Sequence, residues 1–138
     1  MKNQAKYVTD FDLTRLKEVV KFSRDLGEKE ESTTRTLENE LNNAETVKHK
    51  NTPPDVITMN SEVVYKDMAT RRKESLALVF PNHADSEMKK ISVLSPIGRA
   101  LLGRRVGEII KLQVLAGMRR LKVEKIKYQP EAVGNFSI

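Results

Sequence analysis

Apolar residues in the first fifty positions recur every three or four residues, which is the spacing of one face of an α-helix. Two segments carry this repeat: residues 7–26, with Leu13, Leu16 and Val20, and residues 34–49, with Leu37, Leu41 and Ala44. Thr9 is suited to cap the first helix, and the Pro53-Pro54 pair cannot continue the second one. The pattern predicts an antiparallel helical hairpin over residues 1–50.

From Asp55 onward the apolar residues alternate with polar ones, as in β-strands with one buried face. Five segments show this alternation: residues 55–68, 74–80, 91–94, 107–115 and 119–128. In the last segment the alternation changes phase, so we expect a β-bulge near Glu124-Lys125. Residues 51–138 are therefore expected to form a second domain, which is an antiparallel sheet with one short helix and an irregular tail after Tyr128. With the helical hairpin before it, this sheet makes the chain an α+β protein.

The short helix has clear start and stop signals. Ser95 is a favourable N-cap, Pro96 suits the first helical position, and Gly103 suits the position just after the end. Such a helix fixes the loop before it, and we predict that Leu94, Ser95, Pro96 and Ile97 form a docking loop for a protein partner. The alternative is a simple crossover helix that covers one face of the sheet.

Composition narrows the possible functions. The chain carries a net charge of +6 and contains no cysteine, which excludes disulfides and thiol chemistry and fits a cytoplasmic location. The excess positive charge lies after residue 50, and a basic surface is expected from Arg99, Arg104, Arg105, Arg119 and Arg120. The sequence shows neither a membrane-spanning run nor a signal peptide.

Sequence motifs for catalysis and cofactor binding are missing. The sequence has no nucleophile elbow and no glycine-rich phosphate loop, and the distant His49 and His83 are expected to be solvated side chains. We therefore expect no catalytic residue, no metal site and no cofactor. Four acidic residues crowd the predicted hairpin turn, namely Asp25, Glu28, Glu30 and Glu31. They either bind Mg²⁺ or form a polar turn whose acids favour the start of the second helix.

The stretch ISVLSPIGRALLGRRVGEIIKLQVLAGMRRLKVEKIKY resembles the C-terminal domain of the bacterial GreA/GreB transcription elongation factors. With DVITMNSEVVY and the ending YQPEAVGNF, the likeness extends to a short-hairpin branch of that family. The resemblance implies an FKBP-like C-terminal fold and a partner, RNA polymerase. Family members dock on the β′ subunit at the rim of the secondary channel and insert the hairpin. The docking loop then contains Ser95, Pro96 and Ile97, with Leu94 where related sequences can carry Asp.

Cleavage factors of this family stimulate RNA hydrolysis with an acidic pair at the hairpin tip, and Asp25 with Glu28 fits that spacing. Helices of about 15 residues span only ~22 Å, however, which is too short to reach the polymerase active centre. We therefore expect a transcription regulator without cleavage activity; the alternative is an active cleavage factor.

The sequence gives weaker support to two other functions. One is direct nucleic-acid binding through the basic surface and Lys122, which we expect to be weak or indirect because stacking aromatic residues are scarce. The other is prolyl isomerase activity, which the absence of Trp disfavours. The oligomeric state stays open.

Overall fold

The computed structural model describes residues 6–25, 31–115 and 117–134. Its α-helices and strands follow the order β1 (Tyr7–Thr9), α1 (Asp10–Asp25), α2 (Glu31–Asn42), β2 (Glu45–Val47), β3 (Glu62–Asp67), β4 (Lys73–Val79), β5 (Lys90–Ser92), α3 (Pro96–Leu101), β6 (Ile109–Val114) and β7 (Gly117–Tyr128). The chain is an α+β protein, as predicted. No helix within the described ranges is long and apolar enough to cross a membrane.

The two N-terminal helices are present but shorter than predicted. Thr9 caps α1 as expected, since the Asp12 N–H donates to Thr9 Oγ1 over 3.0 Å. The prediction that the second helix continues to residue 49 is wrong, because α2 ends at Asn42 and Glu45–Val47 form β2, which pairs with β1 as a parallel two-stranded sheet. The Glu45 N–H donates to the Lys6 carbonyl over 2.8 Å, a pairing between distant residues that helical periodicity does not reveal.

The second sheet has five strands in the order β5-β4-β3-β7-β6. Four of its strands pair antiparallel, but β5 runs parallel to β4, with Leu78 opposite Ile91. The prediction of a wholly antiparallel sheet is therefore wrong. Ten residues separate β4 from β5, and this connection returns the chain to the end of the sheet from which β4 started.

The predicted β-bulge is confirmed. Tyr65 pairs with Val123 and Val64 pairs with Lys125, so Glu124 is the extra residue in β7. A second register shift follows between Val63 and Glu62. The first shift keeps Ile126, which pairs with the buried Val63, on the inner face of the sheet.

One continuous apolar core joins the helices to the sheet. Helix α1 contributes Leu16 and α2 contributes Leu37, both fully buried. The sheet and its connections contribute side chains that are equally buried, among them Ile57, Leu78, Leu101 and Leu121. The apolar stripes predicted for the hairpin thus face the sheet as well as each other.

The C-terminal segment is more ordered than predicted. Gln129 is buried, and its Nε2 donates to the carbonyls of Pro53 and Val56 over 2.9 and 2.6 Å. A 3₁₀ turn, Glu131–Val133, follows, and the Thr58 hydroxyl donates to the Glu131 carboxylate over 2.7 Å. The expected irregular tail is therefore wrong for residues 129–134, which are fixed by side-chain bonds rather than by strand pairing.

Candidate functional site

The loop between β5 and α3 is fixed by two serine side chains. Ser95 Oγ accepts the Gly98 N–H over 3.1 Å and donates to the Ser92 carbonyl over 2.7 Å. Ser92 Oγ accepts the Leu94 N–H over 3.0 Å. Ser95 is thus the N-cap of α3 and Pro96 its first residue, as predicted. We call residues 92–97 the α3 loop.

Glycine is required at Gly98 by close packing. A Cβ atom added there would lie 2.1 Å from the Ser92 carbonyl oxygen, which is backbone and cannot turn aside. Gly103, the predicted end of the helix, has φ +77°, and a Cβ there would lie 2.8 Å from the Tyr7 carbonyl oxygen. Sequence analysis found the stop signal at Gly103, but not these two close contacts, which depend on the fold.

The four predicted docking residues are adjacent but differently exposed. Pro96 is exposed, while Leu94, Ser95 and Ile97 are half-buried. Leu94 and Ile97 pack partly against the core, so Pro96 is the member that projects furthest from it. The α3 loop therefore exposes one small apolar side chain, that of Pro96, on a backbone fixed by hydrogen bonds.

A cleft of about 960 Å³ separates the α3 loop from α1. Its walls are formed by Glu18, Val19, Phe22, Ser23 and Thr34 on the hairpin side, and by Pro81, Asn82, Ser92, Leu94, Ser95 and Pro96 on the other. Phe22 is 65% exposed although it is a large apolar side chain. Sequence analysis missed Phe22; its position off the buried stripe of α1 was the available signal.

Asp12 ties the start of α1 to the segment before β3. One of its carboxylate oxygens accepts the Met59 N–H over 3.0 Å, and the other accepts from Arg15 over 2.7 Å. Burial raises the pKa of this carboxyl, whereas the bonds from Met59 and Arg15 oppose that rise. Asp12 is only 1% exposed, so it holds α1 against the segment before β3.

A second tie is made by the buried Lys6. Its ammonium group donates to the Arg99 carbonyl in α3 and lies 3.6 Å from the Glu40 carboxylate of α2. Arg99 contacts the same carboxylate over 3.3 Å. Burial lowers the pKa of Lys6 to about 8; Glu40 counteracts this effect, while Arg104 and Arg99 add to it. The segment before β1 and helix α2 are thereby linked to α3.

Four of the five predicted basic-surface arginines have carboxylate partners. Arg99 pairs with Glu40, Arg104 with Glu108 over 3.7 Å, Arg105 with Asp55 over 3.1 Å and Arg119 with Asp67 over 2.7 Å. The Arg119 guanidinium lowers the pKa of Asp67. Arg120 is exposed on β7. These five side chains therefore do not form one uncompensated cationic surface.

The acidic turn is only partly described. Glu28 and Glu30 lie outside the described residues, and Asp25 and Glu31 mark the last residue of α1 and the first of α2. No group of three His, Cys, Asp or Glu side chains suited to a metal ion occurs in the described ranges.

Only one of the two histidines is solvated, although both were expected to be. His49 is half-buried, with Nδ1 3.0 Å from Asp10 Oδ1 and its ring stacked on Phe11 at a 3.6 Å centroid distance. His83 is exposed, as expected.

Comparison with known proteins supports one family. Residues 51–128 match the family described as "Transcription elongation factor, GreA/GreB, C-term". The regulator of nucleoside diphosphate kinase (Rnk) of Escherichia coli (strain K12) is 36% identical over 101 residues, which cover 72% of this chain and 74% of that protein. This relative confirms the short-hairpin branch indicated by the sequence.

Two further relatives belong to the same family. Transcription elongation factor GreA of Chloroherpeton thalassium is 40% identical over 97 residues, which cover 70% of this chain but 61% of that protein. The solved structure "Prokaryotic transcription elongation factor GreA/GreB from Nitrosomonas europaea" has a TM-score of 0.75 at 31% identity and covers 89% of this chain and 99% of that one. The chain belongs to the GreA/GreB family of transcription factors and is a relative of Rnk.

Proposed function

We propose that the protein binds RNA polymerase at the rim of the secondary channel and regulates transcription there without stimulating transcript cleavage. The α3 loop, with Leu94, Ser95, Pro96 and Ile97, is the contact with the β′ subunit, and the hairpin enters the channel. In this role residues 51–138 have the FKBP-like fold that the family resemblance implies, and they serve to dock the protein on its partner. We propose that the protein acts in the cytoplasm and is not an enzyme.

The α3 loop has the properties that such a contact needs. Its serine bonds and the close packing at Gly98 leave it little freedom, so binding requires little additional ordering. Pro96 is exposed beside the apolar wall formed by Phe22 and Val19. A partner that takes up Pro96 can therefore bury the neighbouring apolar wall in the same interface.

The length of the hairpin is the observation that argues against cleavage. Helix α1 has 16 residues and α2 has 12, which correspond to lengths of roughly 24 Å and 18 Å. Much of α1 lies beside the sheet domain, because Leu16 and Val20 are in the shared core and Phe22 lines the cleft to the α3 loop. Only about the last turn of α1 is left to project.

A short projection limits the chemistry available to its tip. Carboxylates assist phosphoryl chemistry only when they contact the metal or the attacking water. We therefore infer that, in the proposed complex, Asp25 stays at the channel entrance instead. Occupancy of that entrance excludes other factors that use the same channel, so we infer that regulation is by competition.

Binding is tested by pull-down and titration with core RNA polymerase. Pro96→Asp puts a charge at the exposed point of the α3 loop, and Asp is well tolerated in the first turn of a helix. We expect at least a tenfold loss of affinity. Leu115→Asp is the matched control, since Leu115 is fully exposed in the β6–β7 turn and undergoes the same change of charge. Full binding by Pro96→Asp would refute the proposed docking loop.

Cleavage is tested separately with backtracked transcription complexes. We expect the protein to leave transcript length unchanged at concentrations that saturate the polymerase, and to inhibit a longer-hairpin cleavage factor added in competition. Shortened transcripts that disappear with Asp25→Asn and Glu28→Gln together would instead establish an active cleavage factor.

A further inference from the structure

The outer face of the five-stranded sheet is strongly cationic. Inward side chains such as Val63, Leu76, Leu112 and Leu121 are buried in the core, and the residues that alternate with them face outward. Among the outward residues that pair with one another on β3, β4, β6 and β7, six are basic: Lys66, Lys73, Lys111, Arg120, Lys122 and Lys125. We call this group the sheet-face cations; four of them are exposed, and Lys66 and Lys122 are half-buried.

Several of the sheet-face cations lie directly opposite one another on neighbouring strands. Lys66 is paired with Lys73 of β4 on one side and with Lys122 of β7 on the other. Lys111 of β6 is paired with Arg120 of β7. Side chains in such positions have Cβ atoms roughly 5 Å apart, and like charges there destabilise a sheet. Folding alone gives no reason for three such pairs.

Carboxylates compensate this face only in part. Glu124, the bulge residue, lies 3.2 Å from Lys73 and 4.0 Å from Lys122, and the hydrogen bond from Lys73 is the main cause of its lowered pKa. Glu62 is the other acid among the outward residues of β3 and β7. Elsewhere in the molecule Arg99, Arg105 and Arg119 are matched by acids. With six cations and these two acids, the paired outward positions carry a net charge of +4, compared with +6 for the whole chain.

We propose that the sheet-face cations bind the phosphate backbone of a nucleic-acid duplex without reading its sequence. Five of the six are lysines, which act as point charges toward phosphate and are depleted in protein–protein interfaces. None of the residues directly opposite them is aromatic, and Tyr128, which pairs with Glu62 at the end of β7, is half-buried, so the cations themselves offer unpaired bases no stacking platform. These properties favour a duplex over an acidic protein or a single strand.

This surface is distinct from the proposed polymerase contact. The sheet-face cations lie on β3, β4, β6 and β7, whereas the docking residues lie between β5 and α3. The inference does not rest on polymerase binding and is tested with the isolated chain. It also differs from the basic surface predicted from sequence, because only Arg120 belongs to both sets.

The test is a fluorescence-anisotropy titration of a 30-base-pair DNA duplex of arbitrary sequence between 50 and 200 mM KCl. The triple variant Lys111→Gln, Arg120→Gln, Lys122→Gln removes three cations from the face. We expect at least tenfold weaker binding and a plot of log K against log[KCl] that is about three units less steep, since each phosphate contact contributes roughly 0.9. Its thermal stability should be unchanged or higher, because like-charge repulsion is relieved.

The matched control is Lys17→Gln, Lys21→Gln, Lys50→Gln, which removes the same charge from exposed positions outside the sheet. An equal loss in the control would mean that net charge alone drives binding and would overturn the proposal. The proposal would also be overturned if the duplex failed to bind at 50 mM KCl, or if polyglutamate or a 30-nucleotide single strand bound more tightly. Polymerase affinity of the sheet triple variant, measured in parallel, should equal that of the wild type.

Discussion

The base of the hairpin and the α3 loop are both held rigid, but by different means. At the base, charged side chains that are buried bond to main-chain groups: Asp12 accepts from Met59, and Lys6 donates to the Arg99 carbonyl. In the α3 loop, uncharged contacts act over a few residues, through Ser95 Oγ and the close packing at Gly98.

This difference predicts different sensitivities. Buried charges depend on ionisation, so the hairpin base should respond to pH and to loss of a charge. Tight neutral packing depends on volume, so the α3 loop should respond to a single added methyl group. Variants of the two regions can therefore be compared directly for stability and for binding.

The largest effect is expected for Asp12→Ala. The substitution leaves the buried Met59 N–H without an acceptor and removes the partner of Arg15. A buried donor left unpaired costs about 1–3 kcal/mol, and the lost ion pair adds to this. We expect the free energy of unfolding to fall by about 3 kcal/mol in urea denaturation.

Asp12→Asn is the control for shape, because its amide oxygen still accepts the Met59 N–H. We expect about half the loss. Equal losses for the two variants would mean that the charge, not the bond to Met59, fixes the hairpin base.

A smaller, pH-dependent effect is expected for Lys6→Met. Burial lowers the pKa of Lys6 from 10.5 to about 8, so between these values the unfolded chain binds more protons than the folded one. Stability linked to Lys6 must then rise with pH across this window. The free energy of unfolding of the wild type, relative to Lys6→Met, should increase by about 2 to 3 kcal/mol from pH 7 to pH 10.

The Lys6→Met variant supplies its own control, since every other titrating group is common to both proteins and Glu40 keeps Arg99 as a partner. A difference between the two proteins that stays constant with pH would show that Lys6 is not buried as a charged group at neutral pH.

Sequence patterns predicted the parts of the fold that are set by near neighbours. The cap at Ser95, the helix end at Gly103 and the bulge at Glu124 all follow from signals within a few residues. The pairing of β1 with β2 and the parallel direction of β5 were missed. Both depend on contacts between distant residues, for which short strands of three residues carry almost no periodic signal.

The candidate site divides in the same way. The proposed docking residues, Leu94 to Ile97, were predicted from local helix signals, whereas the facing wall with Phe22 comes from a helix some seventy residues earlier in the chain. The basic surface was misjudged because charge counting does not show ion pairs: Arg105 meets Asp55 and Arg119 meets Asp67 across about fifty residues of sequence.

Of the three substitutions, Gly98→Ala is expected to lower the free energy of unfolding least. It is also expected to weaken polymerase binding most. In an ordinary helix this change stabilises by about 1 kcal/mol, but here the new methyl group would lie 2.1 Å from the Ser92 carbonyl oxygen. The backbone must move, which costs about 1–3 kcal/mol and disturbs the bond from Ser95 Oγ to the same carbonyl. We expect a net loss of about 1 kcal/mol in the free energy of unfolding.

Because the movement occurs inside the α3 loop, polymerase affinity should fall about tenfold at temperatures where the variant is fully folded. Gly107→Ala is the matched control: at φ +96° it is strained by about 1 kcal/mol, but its methyl group meets open space outside the loop. It should lose similar stability and keep full affinity. If both glycine variants bind equally well, the rigidity of the α3 loop is not what positions Pro96 for its partner.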